Sequence, residues 1–295
     1  MTLEQLRIFI AVAEREHLTQ AADALALTPS AVSASIRALE ERYDTPLFHR
    51  MGRGIQLNDA GRLFLAEARA TLAAARNAEL TLAELAGLQR GALAVHASQT
   101  IASYWLPPLL LSFHQQYPLI TLSLTIGNTS SVAQAVREGM ADLGLVEDGV
   151  DEQELASTTV AQDDIVAVVA PAHPWADGRA VDADALRDAE WIMREPGSGT
   201  RSAFEARLAA MGIMPSQLRV ALDLPSNEAV RSAVLAGPYA AVVSELVVAP
   251  HLQAGLLRKV NLDLPPRPFS LLHHRQRHQS RAAQALTELL KRPAS

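Results

Sequence analysis

Apolar positions recur with a helical period from the start of the chain. Leu3, Leu6, Ile10 and Ala13 share one face of a first helix, which His17-Leu18-Thr19 interrupts. Thr19 reads as the N-cap of a second helix through Ala21, Ala22 and Leu25, whose alanines permit close helix approach. Thr28, a capping residue, followed by Pro29 at the first helical position, starts a third helix with Val32, Ile36 and Leu39 as its buried stripe. Its opposite face carries Ser30, Ser33 and Arg37. From Asn58, a capping residue, to Gly87 there is no proline and no glycine beyond the first turn, which predicts one helix of roughly 45 Å at ~1.5 Å per residue. Its stripe of Leu63, Ala66, Ala70, Ala73, Leu82 and Leu85 suits an antiparallel helix pair, so two protomers are expected to dimerise there.

After Gly91 the pattern changes to alternating strands and helices. Strand LAVHAS, helix WLPPLLLSFHQQYP, strand ITLSLTIG, helix SSVAQAVREGM and strand ADLGLVE predict a first, parallel-sheet lobe. Strands DIVAVVAP, EWIMRE, RVALDL and AAVVSE with the helices SGTRSAFEARLAAMG and NEAVRSAVLAG predict a second. PFSLLHHRQ and SRAAQALTELLKR complete the first lobe if the chain crosses back near Pro265 to Pro268. The expected organisation is α/β: residues 1–58 as a winged helix-turn-helix, 59–88 as a linker helix, 89–163 with 268–295 as lobe I, and 164–267 as lobe II.

Composition narrows the function. A chain of 295 residues with 49% hydrophobic and 20% charged positions suits several globular domains. No stretch approaches the roughly 18 uncharged apolar residues of a membrane span, and Glu4, Arg7, Glu14 and Arg15 interrupt any signal-peptide core, so no membrane association and a cytoplasmic location are expected. The absence of cysteine excludes disulfides and thiol redox sensing. Net charge is −6, and residues 1–58 hold six arginines against seven acids, so any nucleic-acid affinity rests on placement and dimerisation.

Two short helices joined by a tight turn, the second offering small polar groups and Arg37, are what entry into a DNA major groove requires. An ordinary three-helix bundle has the same stripes. The following PLFHRMGRGIQLN adds a wing, with Gly52 and Gly54 at its turn and Arg50 and Arg53 placed for phosphates. Together LRIFIAVAE, LTQAADALALTPSAVSASIRALEERY, PLFHR and LNDAG resemble, in register, the LysR-type family of transcriptional regulators. The resemblance implies base contacts around Thr28, Pro29, Ser30, Ser33 and Ala34, and phosphate contacts from Thr19, Arg50 and Arg53. Ala34 and Ser35 stand where members carry longer polar side chains, shifting readout towards DNA shape. Asp44 stands in place of a glycine, and Asn58 in place of a threonine. The resemblance also implies a periplasmic-binding-protein-like effector domain with ligand between its lobes, and a homotetramer built from linker-helix dimers.

Three polar segments fall where strand gives way to helix, and helix N-termini attract anions. They are Ser98-Gln99-Thr100, Asn128-Thr129-Ser130-Ser131 and Ser198-Gly199-Thr200-Arg201. In the last, glycine allows close approach and Arg194 or Arg201 can supply charge. By resemblance the first and third line the effector pocket from opposite lobes. MREPGSGTR and ASQTIASYWLP are similar to the regulators of sulfur assimilation and of carbon-fixation operons, which implies a small anionic effector, either sulfite- or sulfate-like or a phosphorylated metabolite. Each segment can equally be a cap serving its own backbone, Thr129 and Ser130 above all. Glu147 and Asp148 read as solvated loop acids or as groups orienting a ligand. His273 and His274 alternate on a strand and cannot both face one metal, so no metal site is expected. No cofactor and no catalysis are expected, for want of a nucleophile with its base or a phosphate-loop fingerprint. A small-anion solute-binding sensor or an enzyme on the same two-lobed fold is the alternative, and the N-terminal segment weighs against both.

Overall fold

The computed structural model describes residues 1–51, 54–85 and 91–292. They form two compact units, one drawn from Met1–Leu88 with Arg137–Met140, the other from Gln89–Val136 with Ala141–Ser295.

In the first unit α1 (Leu3–Arg15) is started by a reciprocal cap between Thr2 and Gln5. It buries Leu6, Ile8, Phe9 and Val12 while Leu3 is exposed, so its inner face is broader than expected and turned away from Leu3. Phe9 sets that orientation, its ring lying 5.5 Å from Phe48 and 4.8 Å from Phe64. α2 (Leu18–Ala24) begins earlier than expected: His17 is its cap, with Nδ1 accepting from the Gln20 amide at 3.4 Å, and Thr19 lies inside the first turn. The imidazole provides the acceptor expected from the threonine hydroxyl.

Ala26, with φ 54°, turns the chain into α3 (Pro29–Tyr43). Thr28 Oγ1 accepts from the Ala31 amide at 3.2 Å, and Val32, Ile36 and Leu39 are buried. Asp44 ends the helix at φ 46°, the left-handed conformation that glycine adopts most readily and aspartate tolerates. The hairpin β1 (Phe48–Met51) and β2 (Gly54–Leu57) is antiparallel. Glu40 of α3 ties it down by accepting from the Leu47 and Phe48 amides at 2.7 and 3.3 Å.

Asn58 caps α4 (Asp59–Leu85), its Oδ1 accepting from the Gly61 amide at 2.7 Å. The 27 residues span about 40 Å at ~1.5 Å per residue. The expected stripe divides in two. Ala68 and Ala73 are buried, Phe64, Leu65 and Leu72 pack towards α1, and Ala66 and Ala70 are half-buried, whereas Leu63 and Leu82 are 76% and 68% exposed. Gly87 and the side chain of Leu85 lie outside the described residues.

The second unit contains two five-stranded sheets. The first comprises β3 (Gly91–Ser98), β4 (Ile120–Gly127), β5 (Leu143–Glu147), β6 (Leu155–Asp163) and β12 (Arg267–His274), in the order β4-β3-β5-β12-β6. The second comprises β7 (Ile165–Val169), β8 (Glu190–Arg194), β9 (Arg219–Leu224), β10 (Ala240–Ser244) and β11 (Arg258–Lys259), in the order β11-β7-β10-β8-β9. The first sheet is mixed rather than parallel, because β12 runs antiparallel to both β5 and β6. β6 escapes the hydrophobic pattern as an edge strand with mostly uncovered polar side chains.

Helices α5 (Leu106–Gln116), preceded by a π-helical turn at Ile101–Trp105, α6 (Thr129–Glu138) and α11 (Arg281–Leu290) belong to the first sheet's half of the chain. α7 (Ala183–Asp188), α8 (Gly199–Ala210), α9 (Asn227–Ala236) and α10 (Glu245–Gln253) follow the strands of the second. One core joins Phe113, Leu143, Leu145, Phe269 and Leu286, and another joins Trp175, Trp191 and Phe204, with the Trp191 indole donating to Leu186 O at 2.9 Å. α6 approaches β5 closely because Gly144 has no side chain: a Cβ there would lie 2.7 Å from Val136 Cγ2. The chain leaves the first sheet at Asp163, enters the second at Ile165, and returns at Arg267. Among the described residues no helix is long and apolar enough to cross a membrane.

Candidate functional site

Two surfaces carry chemistry. On the first unit, α3 presents Pro29, Ser30, Ala34 and Arg37 to solvent and leaves Ser33 half-buried, opposite its buried stripe. Thr28 is engaged as a cap and exchanges a hydrogen bond with Ser30 Oγ at 3.0 Å, and Arg37 Nε donates to Ser33 O at 3.4 Å. Thr19 is exposed on α2. Arg53 and the side chain of Arg50 lie outside the described residues.

On the second unit the polar segments meet at the ends of the strands. Ser98 closes β3, Arg194 closes β8, and Ser198, Gly199 and Thr200 open α8. Ser98, Thr100, Ser198 and Thr200 are 1%, 0%, 3% and 2% exposed, a burial that serine and threonine tolerate only with partners. Thr100 Oγ1 accepts from Asn227 Nδ2 at 3.1 Å, and Asn227 Oδ1 accepts from Arg194 Nη1 at 2.5 Å. Thr200 Oγ1 accepts from Arg267 Nη1 at 3.1 Å. Ser98 Oγ is buried with no hydrogen-bond partner, and Ser198 caps α8 by position without a side-chain bond to its backbone.

Gln99 bridges the sheets, its Nε2 donating to Glu228 Oε2 at 2.7 Å and its Oε1 accepting from the Asn227 amide at 2.7 Å. Tyr104 adds a bond to Glu228 Oε1 at 2.7 Å. In the second segment, Asn128 and Ser131 form the cap between themselves: each side chain accepts from the other's amide, at 2.9 and 3.0 Å. Thr129 is thereby left to donate to the Glu147 carboxylate at 3.4 Å, and the Ser130 amide donates to Gly197 O at 3.3 Å. A Cβ on Gly199 would sit 2.7 Å from Glu147 Cβ and 2.9 Å from Thr129 Oγ1, so only glycine permits this contact.

Charge is distributed differently from the sequence reading. Arg201 is paired within the protein: it donates to Glu205 at 2.7 Å, to Asp223 at 2.6 Å and to Arg194 O at 3.0 Å. Arg194 is matched by Glu195, whose oxygens lie 2.8 and 3.0 Å from its donors. Burial alone raises the Glu195 carboxyl, but its bonds from Arg194 and the charge of Arg194 prevail and hold it below the ordinary glutamate value. Glu147 is not a solvated loop acid: it is 3% exposed and 3.8 Å from Arg267.

Arg267, Asn227, Asp163 and Glu228 are missing from the residues singled out in the sequence. Arg267 donates to Asp163 from Nε and Nη2 at 2.8 and 2.7 Å, and Ser244 donates to the other oxygen of Asp163 at 2.6 Å. The one local signal was an arginine opening an otherwise apolar strand. The facing ends of the two sheets thus gather buried hydroxyls and matched ion pairs, a chemistry that can hold a small ligand through hydrogen bonds and helix N-termini. His273 and His274 stand beside Ala156 and Leu155, and among the described residues no set of His, Asp or Glu is disposed to hold a metal ion.

A family model for the LysR substrate binding domain matches residues 66–294, and one for bacterial regulatory helix-turn-helix proteins of the lysR family matches residues 3–62. The chain is 36% identical over 284 residues to the HTH-type transcriptional regulator YeiE of Escherichia coli (strain K12), covering 96% of this chain and 94% of that protein. It is 32% identical over 292 residues to the RuBisCO operon transcriptional regulator of Allochromatium vinosum, covering 98% and 95%. Full-length CbnR complexed with its target DNA shares the fold, with a TM-score of 0.69, 23% identity and complete coverage of both chains. The regulatory domain of Synechocystis PCC6803 CcmR in complex with 2-PG has a TM-score of 0.62 and 27% identity over 68% of this chain and 96% of that one.

Proposed function

Since the chain belongs to the LysR-type family of DNA-binding transcriptional regulators, we propose that its second unit binds a small anionic effector between its two sheets and thereby alters how the first unit binds and bends promoter DNA. The observation that carries this reading is Ser98 Oγ, buried and without a partner beside Thr100, whose hydroxyl meets the opposite lobe. An unsatisfied buried hydroxyl costs about 1–3 kcal/mol, which a ligand oxygen relieves. The ligand class is sulfite- or sulfate-like or a phosphorylated metabolite, and the 2-phosphoglycolate bound by CcmR favours the second. Ser98, Thr100, Ser198, Gly199 and Thr200 are its contacts. Arg201 is not among them, because two carboxylates hold it.

On the DNA side α3 enters the major groove with Pro29, Ser30, Ser33, Ala34 and Arg37, and the wing arginines reach phosphates. The protein works in the cytoplasm as a dimer through α4, where Leu63 and Leu82 are uncovered. Dimers pair into tetramers through the edge strands β4 and β9, which expose Leu124, Ile126, Val220 and Leu222. Bound ligand changes the angle between the lobes and so the placement of linked DNA-binding dimers.

The test is a thermal-shift screen with sulfite, sulfate, thiosulfate, phosphate and 2-phosphoglycolate. A saturating ligand raises the melting temperature by mass action, and Thr100→Ala with Ser198→Ala abolishes the rise. A panel with no rise, or a rise indifferent to both substitutions, overturns the inter-lobe anion site.

A further inference from the structure

The hydrogen-bond directions around two buried hydroxyls are forced, and they restrict what the cleft accepts. An arginine can only donate. Arg194 Nη1 therefore fixes Asn227 Oδ1 as an acceptor, which turns Asn227 Nδ2 to Thr100 as a donor. Thr100 Oγ1 accepts that bond, and its own proton is left to point elsewhere. The same logic applies to Thr200, whose Oγ1 accepts from Arg267 Nη1. Ser98 Oγ, with no partner, is a third hydroxyl at the same strand ends.

The carboxylates nearby, Asp148 apart, already accept hydrogen bonds. Glu147 accepts from Thr129, Asp163 from Arg267 and Ser244, Glu195 from Arg194 and Asn128, and Glu228 from Gln99 and Tyr104. At Thr100 and Thr200 a ligand that must donate a hydrogen bond meets hydroxyl protons in place of lone pairs.

We propose that Asn227 and Arg267 are positioning residues that hold the hydroxyls of Thr100 and Thr200 as donors, so that the cleft selects an oxyanion carrying no proton of its own. This rests on the reading that both threonines face the effector. It admits sulfate and the dianion of a phosphate monoester, and it disfavours inorganic phosphate, which keeps a P–OH at neutral pH. Asn227→Asp tests the relay with little change of shape. A carboxylate cannot donate, so Thr100 turns its proton to it and presents lone pairs to the ligand instead.

The experiment is titration calorimetry on the full-length protein at pH 7.5 with sulfate, 2-phosphoglycolate and inorganic phosphate. The wild type is expected to bind one of the first two about tenfold or more tighter than inorganic phosphate, and Asn227→Asp to lose about that preference. Thr100→Val separates the two claims. If it abolishes binding while Asn227→Asp keeps wild-type affinity and preference, the relay is wrong and the effector site stands. If neither Thr100→Val nor Thr200→Val changes binding, or the wild type binds none of the three, the effector site itself fails and the relay with it.

A second arm needs no variant. The phosphate of a monoester takes up a proton near pH 6, so 2-phosphoglycolate affinity should fall about tenfold per unit below that point relative to sulfate, which stays unprotonated. Titration of Asp148 or Asp163, the acids beside Glu147 and Arg267, moves both ligands alike and cancels in the ratio. Parallel pH profiles, or inorganic phosphate bound as tightly as sulfate and 2-phosphoglycolate, overturn the proposal.

Discussion

Asp163 and Arg267 meet at the two points where the chain passes between its sheets, with Arg267 Nη2 donating to Asp163 Oδ2 at 2.7 Å and both side chains at most 2% exposed. The pair joins the outgoing crossing to the returning one, and Ser244 and Thr200 of the second sheet's half hydrogen-bond to it. It therefore ties the two crossings to one another. Removing Asp163 leaves a buried charge on Arg267 that Glu147, at 3.8 Å, and Asp148 partly offset. Asp163→Ala is expected to lower unfolding free energy by about 3–5 kcal/mol in urea titration. A loss below about 1 kcal/mol, the level of an exposed pair, would place the crossing in contact with water instead.

Stability should also depend on pH in a two-sided way. Burial raises the Asp148 carboxyl against the pull of Arg267, with Glu147 and Asp163 adding to the rise. A carboxyl raised in the folded state binds its proton more tightly there than in the unfolded chain, so acidifying from neutrality through the folded value adds stability. Glu195 is depressed, so its contribution is present above the unfolded value and is lost as pH falls through the folded one. His96, His173 and His274, lowered by burial, cost stability over the same acidification, so the Asp148 contribution is read as the difference in urea midpoint between the wild type and Asp148→Asn, which should grow in the wild type's favour on mild acidification. Asp148→Asn removes its own share, leaves that of Asp163, which burial also raises, and keeps the left-handed backbone, φ 63°, that asparagine tolerates. A midpoint difference between the two proteins that does not change from neutrality to mild acid contradicts this.

Thr28→Ala removes the cap of α3 and should cost about 1 kcal/mol of stability. Its effect on DNA affinity should exceed that on folding if, as proposed, the start of α3 faces the bases. A variant with unchanged DNA affinity and reduced stability would confine Thr28 to capping.

Leu63 and Leu82 are large apolar side chains left uncovered on α4. Replacing both with Glu should reduce the assembly to dimers held by the β4 and β9 edges in sedimentation velocity without lowering the melting temperature of the isolated chain. A doubly substituted protein that still sediments as the wild-type assembly would locate the dimer elsewhere.

What the sequence made legible follows from how local each signal is. Thr28 and Pro29 start α3, Asn58 starts α4, and Asp44 takes the left-handed turn, all decided by neighbours a few residues away. His17 displaced Thr19 as a cap because an imidazole nitrogen is an uncommon acceptor that patterning passes over. The bonds that build the cleft are out of local reach: Thr100 and Asn227 lie 127 positions apart, and Asp163 and Arg267 104. The pattern placed the polar segments at strand ends but not the residues that orient them, and it assigned to Arg201 a charge that Glu205 and Asp223 absorb.

The central claim is that ligand between the lobes changes how the protein holds DNA. The most direct measurement is the bend angle and footprint of a DNA site selected from a randomised pool, recorded with and without a saturating concentration of whichever probe, sulfate or 2-phosphoglycolate, binds in calorimetry. The account predicts a changed bend and a shifted or shortened footprint in the wild type, and neither change in Thr100→Val. A ligand that binds with measured affinity and leaves both bend and footprint unchanged contradicts it.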